Sequence, residues 1–448
     1  MNQEKNVVSS YFKKSIFPSL LLFLIGWGAS FLISKLIWKN DLKPISPVQL
    51  LLAIIIPVLL IICAWLSMRK SNGKTFDFHF FFIALLLISI VNILFVHFLH
   101  IQIFGDFDQL PTDISKSVIF PRWLIGSSIL NFIYHSVIQP IRSSFQTAAF
   151  VRLGGSLLML GFSIFLLIKY PNRLNVILPL LSPIWFLFSS GYNEYYPFIA
   201  EIYLFFLIIL SNDYLSKMHP IFIGTIASLM MLFYVGFVPI GLFLLFIFFI
   251  KKGLKPGIIA AIATLGSSVL FILIFWPGSF TSFFPAYYSS LNIKSSDLYP
   301  GVLMAHLPFF KLSYAFSSEN LNRIFNEYHW AGGFASVAIF VYVLLKKNFL
   351  TKENLLKKNV LYLLIFLVWQ MFYFIFMVPR LGAYQDIDLF FTVYLIITFI
   401  AGNFADLSTD SNQNADSSLI KHRVVSFFLG NSSFLILYFC FIGIPYFK

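Results

Sequence analysis

The sequence predicts an all-α polytopic integral membrane protein, with about 13 transmembrane helices and further helices lying in the outer interface. Three observations carry that prediction. Of the 448 residues, 59% are hydrophobic and 11% are charged, with a mean hydropathy of +0.86. A water-soluble domain needs more polar surface than this composition holds. Apolar runs of spanning length recur along the chain, and Lys and Arg collect in alternate connections between them. The net charge of +13 therefore reads as a topology signal and not as a nucleic-acid surface.

A spanning helix needs about 20 mostly apolar residues. Spans are expected near 16–38, 47–68, 79–101, 145–168, 174–190, 197–211, 220–236, 237–250, 257–276, 332–345, 359–378, 389–402 and 424–446. The 220–250 region reads either as a hairpin or as one long helix broken at Pro239. Lys13 and Lys14 precede the first run, and no small-residue cleavage site follows it, so that run is expected to remain as an anchor. More than half of the 31 Lys and Arg then fall in one set of loops, among them Arg69, Lys70, Lys169, Arg173, Lys251, Lys252, Lys346 and Lys421. The positive-inside rule places that set, and the N-terminus, in the cytoplasm, as expected for a plasma (inner) membrane protein. Residues 1–78 form an N-terminal helical hairpin in this scheme, and 79–402 a transmembrane core with outer loops 102–144 and 277–331. Residues 403–448 supply a polar cytoplasmic linker and a final span.

Two outer stretches are expected to be more than connections. Residues 123–140 mix apolar groups with Ser, Asn, His and Gln, which suits a helix in the interface plane. Residues 277–331 are long for a loop and rich in Tyr, Phe and Ser, which favours an ordered cover over the membrane face. The two cysteines, Cys63 and Cys440, both lie in apolar runs, so neither a disulfide framework nor a thiolate metal site is expected.

The candidate chemistry sits on the outer side. Gly105-Asp106-Phe107-Asp108-Gln109-Leu110-Pro111-Thr112-Asp113 places three carboxylates at a membrane boundary in a chain with 18 acidic residues. Charge beside hydrocarbon is seldom kept without use, although a solvated loop would show the same letters. Asp106 and Asp108 point the same way in an extended chain, and the spacing recurs at Asp386 and Asp388. Two such pairs on one face would bind a divalent cation, or one member would act as a general base toward a hydroxyl. Arg380 and Arg122 each follow a proline near these pairs and are candidates to hold a phosphate; an interface anchor is the competing role for Arg122. Tyr192, Asn193 and Glu194 fall at a tight helix connection, where Glu194 and Asn193 could address sugar hydroxyls. A structural role suits the histidines best, with His329 kept as a further phosphate candidate, and Glu201 with Arg152 reads as a structural ion pair.

Together these stretches resemble the GT-C superfamily of membrane glycosyltransferases. Gly105-Asp106-Phe107-Asp108 looks like the acidic start of that family's first large outer loop, and 123–140 like its interfacial helices. The resemblance implies a polyprenyl-phosphate-sugar donor, a glycan, lipid or protein acceptor, and reaction by inversion. It implies that Asp106 or Asp108 is the base and that an outer Arg, Arg380 above all, holds the lipid phosphate. The chain departs from the family in placing the acidic stretch after the third span, where the family usually has it after the first. A polymerase or ligase of lipid-linked glycans is the nearest enzyme alternative. A transporter or flippase of such glycans is the alternative from another class, and would need polar groups inside several spans.

Overall fold

A computed structural model describes residues 17–37, 109–141, 147–171, 173–189, 195–212, 214–291, 312–330, 332–345, 358–376, 391–410, 421, 423–432 and 435. Among the described residues every regular element is helical. In chain order these are α1 (Phe17–Ile37), α2 (Gln109–Ser115), a 3-10 turn (Pro121–Trp123) and α3 (Leu124–Ile133). Helix α3 runs on through a π turn (Tyr134–Ile138) to Ile141. Then come α4 (Thr147–Lys169), α5 (Leu174–Leu180), α6 (Pro183–Ser189), α7 (Tyr196–Ser211), α8 (Pro220–Phe233), α9 (Val238–Lys252) and α10 (Leu254–Phe275). The 277–331 stretch holds α11 (Phe280–Leu291), α12 (Leu312–Ala315) and α13 (Ser318–Trp330). The chain continues with α14 (Gly333–Leu345), α15 (Lys358–Phe376), α16 (Phe391–Asp410) and α17 (423–432). Helices α4 and α10 are long and apolar enough to cross a membrane, and other apolar helices, such as α7 and α8, are shorter.

The structure differs from the expected spans in definite places. The run at 174–190 forms two short helices: Pro183 has no N–H to give the Pro179 carbonyl, and Ser182 Oγ instead donates to Pro179 O at 2.6 Å and accepts from Trp185 N at 3.3 Å. That hydroxyl ends α5 and opens α6. The 220–250 region is a hairpin: α8 and α9 pack together, with Gly241 of α9 against Met231 and the Ala227 carbonyl of α8. The turn is Tyr234–Phe237, and Pro239 sits in the first turn of α9, where its missing N–H is harmless. Helix α16 runs past 402 to Asp410, into what was expected to be linker. It does so because Gly402 seats on the Leu174 backbone and the buried Asp406 accepts from Asn175 N at 3.1 Å. Lys421 pairs with the same carboxylate at 3.3 Å.

Small residues set the closest packing. Gly224 of α8 lies against the backbone of Ala260 and Thr264 in α10, and Thr225 meets Ser267 at 3.1 Å while Ser228 meets Ser268 at 2.8 Å. Backbones drawn together by Gly, Ala and Ser, with hydroxyls bonded across, are the packing mode of helices in lipid. Helices α1 and α17 approach in the same way, with Gly26 on the Phe427 backbone, Gly430 on the Phe23 backbone, and Asn431 hydrogen-bonded to Ser30.

The helix ends sort into two sets. At one end Trp123 stacks on Tyr234, Ser128 Oγ donates to Phe275 O at 3.2 Å, Tyr134 meets Phe150, and Tyr196 meets Phe391. At the other, Tyr170 meets Tyr214 at 3.4 Å, Lys251 lies over Tyr362, Phe340 meets Phe404, and Asp406 holds α5. The first set gathers ends that the Lys and Arg pattern assigns outside, and the second gathers ends it assigns inside.

Candidate functional site

The site begins with how 109–123 is held. Ser127, Asn131 and His135 are spaced by four and so share one face of α3. Ser127 Oγ accepts from Phe120 N at 3.2 Å and donates to Trp123 O at 2.8 Å. Asn131 Nδ2 donates to Val118 O at 2.8 Å. His135 Nε2 donates to Ile114 O at 2.7 Å and lies 3.0 Å from Ser117 Oγ, while its Nδ1 is 2.9 Å from Gln139 Oε1. The backbone these groups satisfy turns sharply at Ser117, whose φ of 54° is in the left-handed region. The helix at 123–140 thus clamps 114–120, just past the acidic stretch. His135 occupies the π turn, a feature frequent at functional sites.

Asp113, the third carboxylate of that stretch, is half-buried near Arg122 and Tyr195. Desolvation pushes its carboxyl up from 3.8 to about 6, against the opposing pull of Arg122 and Lys116. Burial also raises the Tyr195 phenol, Asp113 adds to the rise, and Arg122 works against it. Trp123 fixes the geometry: it stacks between Tyr195 and Tyr234, with centroids 4.3 Å away on each side, and meets Tyr196 edge-on at 5.9 Å. Arg122 Nε and Tyr195 Oη are enclosed and have no hydrogen-bond partner. Buried polar atoms are seldom left so, and here a guanidinium N–H and a phenol are both available to an acceptor.

Asp106, Asp108, Tyr192, Asn193, Glu194, Arg380, Asp386 and Asp388 lie outside the described residues. Their described flanks do meet. Tyr195 follows Glu194 and stacks on Trp123, and Phe391 approaches Phe188 at 5.5 Å and Tyr196 at 6.0 Å. Residues bordering the 190–194 and 377–390 stretches therefore share one aromatic cluster with Trp123 at one end of the bundle, and Asp113 of the acidic stretch acts on Tyr195 of that cluster.

The other candidates fall elsewhere. His329 is buried beside Phe334, with ring centroids 5.6 Å apart, and desolvation pulls its imidazole down to about 3. A neutral, enclosed ring offers a phosphate no charge. The Glu201–Arg152 pair is not formed: Glu201 Oε1 and Arg152 Nε are each buried without a hydrogen-bond partner. Helices α4 and α7 run parallel with Gly155 against Pro197 and Phe198, so Arg152 lies one turn above this level and Glu201 one turn below. At 1.5 Å per residue that separates them by about 10 Å along the axis.

Sequence reasoning passed over a second buried polar group. Arg323 is fully buried; its guanidinium donates to Asn320 Oδ1 at 2.8 Å and to Phe374 O at 2.6 Å. Asn320 Nδ2 donates to Ile375 O at 2.8 Å and Ala315 O at 3.0 Å. Together they cap the C-terminus of α15, where a cation is favoured. The three-residue spacing of Asn320 and Arg323, and the four-residue spacing along α3, were the available signals. Among the described residues no group of His, Cys, Asp and Glu is arranged to hold a metal ion. No family model, curated protein or solved structure matches the chain.

Proposed function

We propose that the chain is a multi-pass membrane glycosyltransferase that moves a sugar from a polyprenyl-phosphate carrier to an acceptor hydroxyl on the outer face. The observation that carries this reading is the meeting of three stretch borders at one end, beside Asp113, Arg122 and Tyr195. The membrane part rests on the apolar exterior as well as on the two long helices. Ile262, Leu265 and Leu273 of α10 and Val368 of α15 are each at least 60% exposed, and other exposed large apolar residues recur over α4, α8 and α9. A water-facing surface does not carry apolar area on that scale.

In the proposed reaction Asp106 or Asp108 takes the proton of the acceptor hydroxyl as its oxygen bonds the anomeric carbon. The bond from that carbon to the phosphate oxygen breaks on the opposite face, and polyprenyl phosphate leaves. Arg380 and Arg122 hold the phosphate through paired N–H donors. Tyr192, Asn193 and Glu194 address the sugar, and Asp386 and Asp388 complete the acidic face or share a divalent cation.

Native mass spectrometry of the detergent-purified protein tests this reading. Wild type is expected to retain a polyprenyl phosphate or its sugar adduct, and Arg380→Ala to lose it. If both carry only bulk phospholipid, the donor assignment is wrong. A flippase is the second reading, favoured by Glu201, a carboxyl within α7 with no partner for its buried oxygen. Under that reading the lipid is retained, but no sugar is transferred to any hydroxyl acceptor.

A further inference from the structure

Helix α13 presents three different stripes. Asn320 and Arg323, three residues apart, face the protein and are fully buried. Glu319 and Asn322, also three apart, are exposed. Leu321 and Phe325, four apart, are likewise exposed, at 45% and 57%. Residues three and four apart on a helix share a side, so each pair defines one stripe. A helix on a water-covered surface needs only two sides, a buried one and a polar one. The third stripe, large and apolar, calls for a third environment.

The neighbouring helices show what that environment is. On α15, Ile365, Val368, Trp369 and Phe372 form an exposed apolar stripe. It leads through Phe372 to Phe376, whose ring meets Phe316 at 6.2 Å. Leu312 and Phe316, in and just after α12, are each 70% exposed. The lipid-facing surface of α15 thus continues without a break onto the segment that leads into α13.

We infer that α13 lies along the lipid–water boundary of the outer leaflet, with Leu321 and Phe325 among acyl chains and Glu319 and Asn322 in water. The occupant of the apolar stripe is lipid hydrocarbon. No exposed Lys or Arg accompanies that stripe among the described residues of α12 and α13. The inference rests on the membrane reading above but not on the sugar chemistry. A helix fixed at the boundary in this way caps Phe374 and Ile375, the last turn of α15, and so fixes where the chain leaves for 377–390.

The test is spin-label accessibility in phosphatidylcholine vesicles, in a background lacking Cys63 and Cys440. Labels are placed one at a time at Leu321→Cys, Phe325→Cys, Glu319→Cys and Asn322→Cys, with Leu265→Cys of α10 as the lipid reference. All five positions are exposed, so the fold should survive the substitutions. Labels at 321 and 325 are expected to collide severalfold more often with oxygen than with a water-soluble nickel chelate, and labels at 319 and 322 the reverse. If 321 and 325 behave like 319 while 265 remains lipid-exposed, the inference is overturned and the membrane reading stands. If 265 also meets the nickel chelate, the membrane reading falls and the inference with it.

Discussion

Replacing Gly224 by Ala adds one methyl where α8 meets α10. The new Cβ would overlap the Ala260 carbonyl, and it would sit 2.7 Å from Ala263 Cβ and 2.9 Å from Thr264 N. Carbon atoms pack best at about 3.5–4.0 Å, so the helices must part by roughly 1 Å. Overpacking of this kind costs about 1–3 kcal/mol. The Thr225–Ser267 and Ser228–Ser268 bonds, at 3.1 and 2.8 Å, then stretch out of range. Each is worth about 0.6 kcal/mol between helices in lipid. Ala recovers up to about 1 kcal/mol of helix propensity, which leaves a net loss of about 2 kcal/mol. Gly266 of α10 is the control, because a Cβ there meets nothing within 4 Å. Gly266→Ala is expected to be neutral, or to stabilise by up to about 1 kcal/mol. Equilibrium unfolding in mixed micelles reads both variants. A Gly224→Ala protein as stable as Gly266→Ala would refute the packing argument.

Three further outcomes are expected. Arg323→Met strands the Phe374 carbonyl and the Asn320 amide oxygen in a buried site, and should lower unfolding stability by about 3 kcal/mol. Asn131→Leu frees the Val118 carbonyl, and should speed amide exchange over 116–120 by roughly tenfold, from the loss of about 1–2 kcal/mol of local stability. Asp113 gives a pH dependence: its folded carboxyl titrates at about 6, above the ordinary 3.8, so its contribution is full below about 3.8 and is lost as pH rises through 6. The whole shift would be about 3 kcal/mol, but the half-exposed carboxyl is screened by water, leaving about 1 kcal/mol. Asp113→Asn should therefore match wild type near pH 4 and exceed it above about pH 6.5, as followed by thermal unfolding across that range.

How much of this was legible can be seen residue by residue. Helical character followed from the apolar runs. The break at Leu181–Ser182 was in the letters, since Pro183 has no N–H for the Pro179 carbonyl and Ser182 caps the helix that Pro183 opens, but hydropathy alone reads the run as continuous. The extension of α16 to Asp410 depends on Asn175, far away in sequence, and no local pattern announces it. At the site, the weight given to 105–113 led to Asp113, but its neighbours Arg122 and Tyr195 come from separate stretches and only the fold joins them. Hydropathy likewise hid the clamp of Ser127, Asn131 and His135, because polarity in an apolar run does not say which backbone groups it will satisfy. The expected Glu201–Arg152 pair failed because opposite charge predicts attraction, while helix register decides reach.

The central claim is that the chain threads the membrane so that the candidate site gathers on the outer face. Single cysteines at Lys116 and Lys217, both exposed, test it most directly in the background lacking Cys63 and Cys440. In intact cells an impermeant maleimide should label Lys116→Cys at once, and should label Lys217→Cys only after permeabilisation. Labelling of both positions from outside, or of Lys116→Cys only from the cytoplasm, would contradict the arrangement and remove the basis for an outer-face transferase.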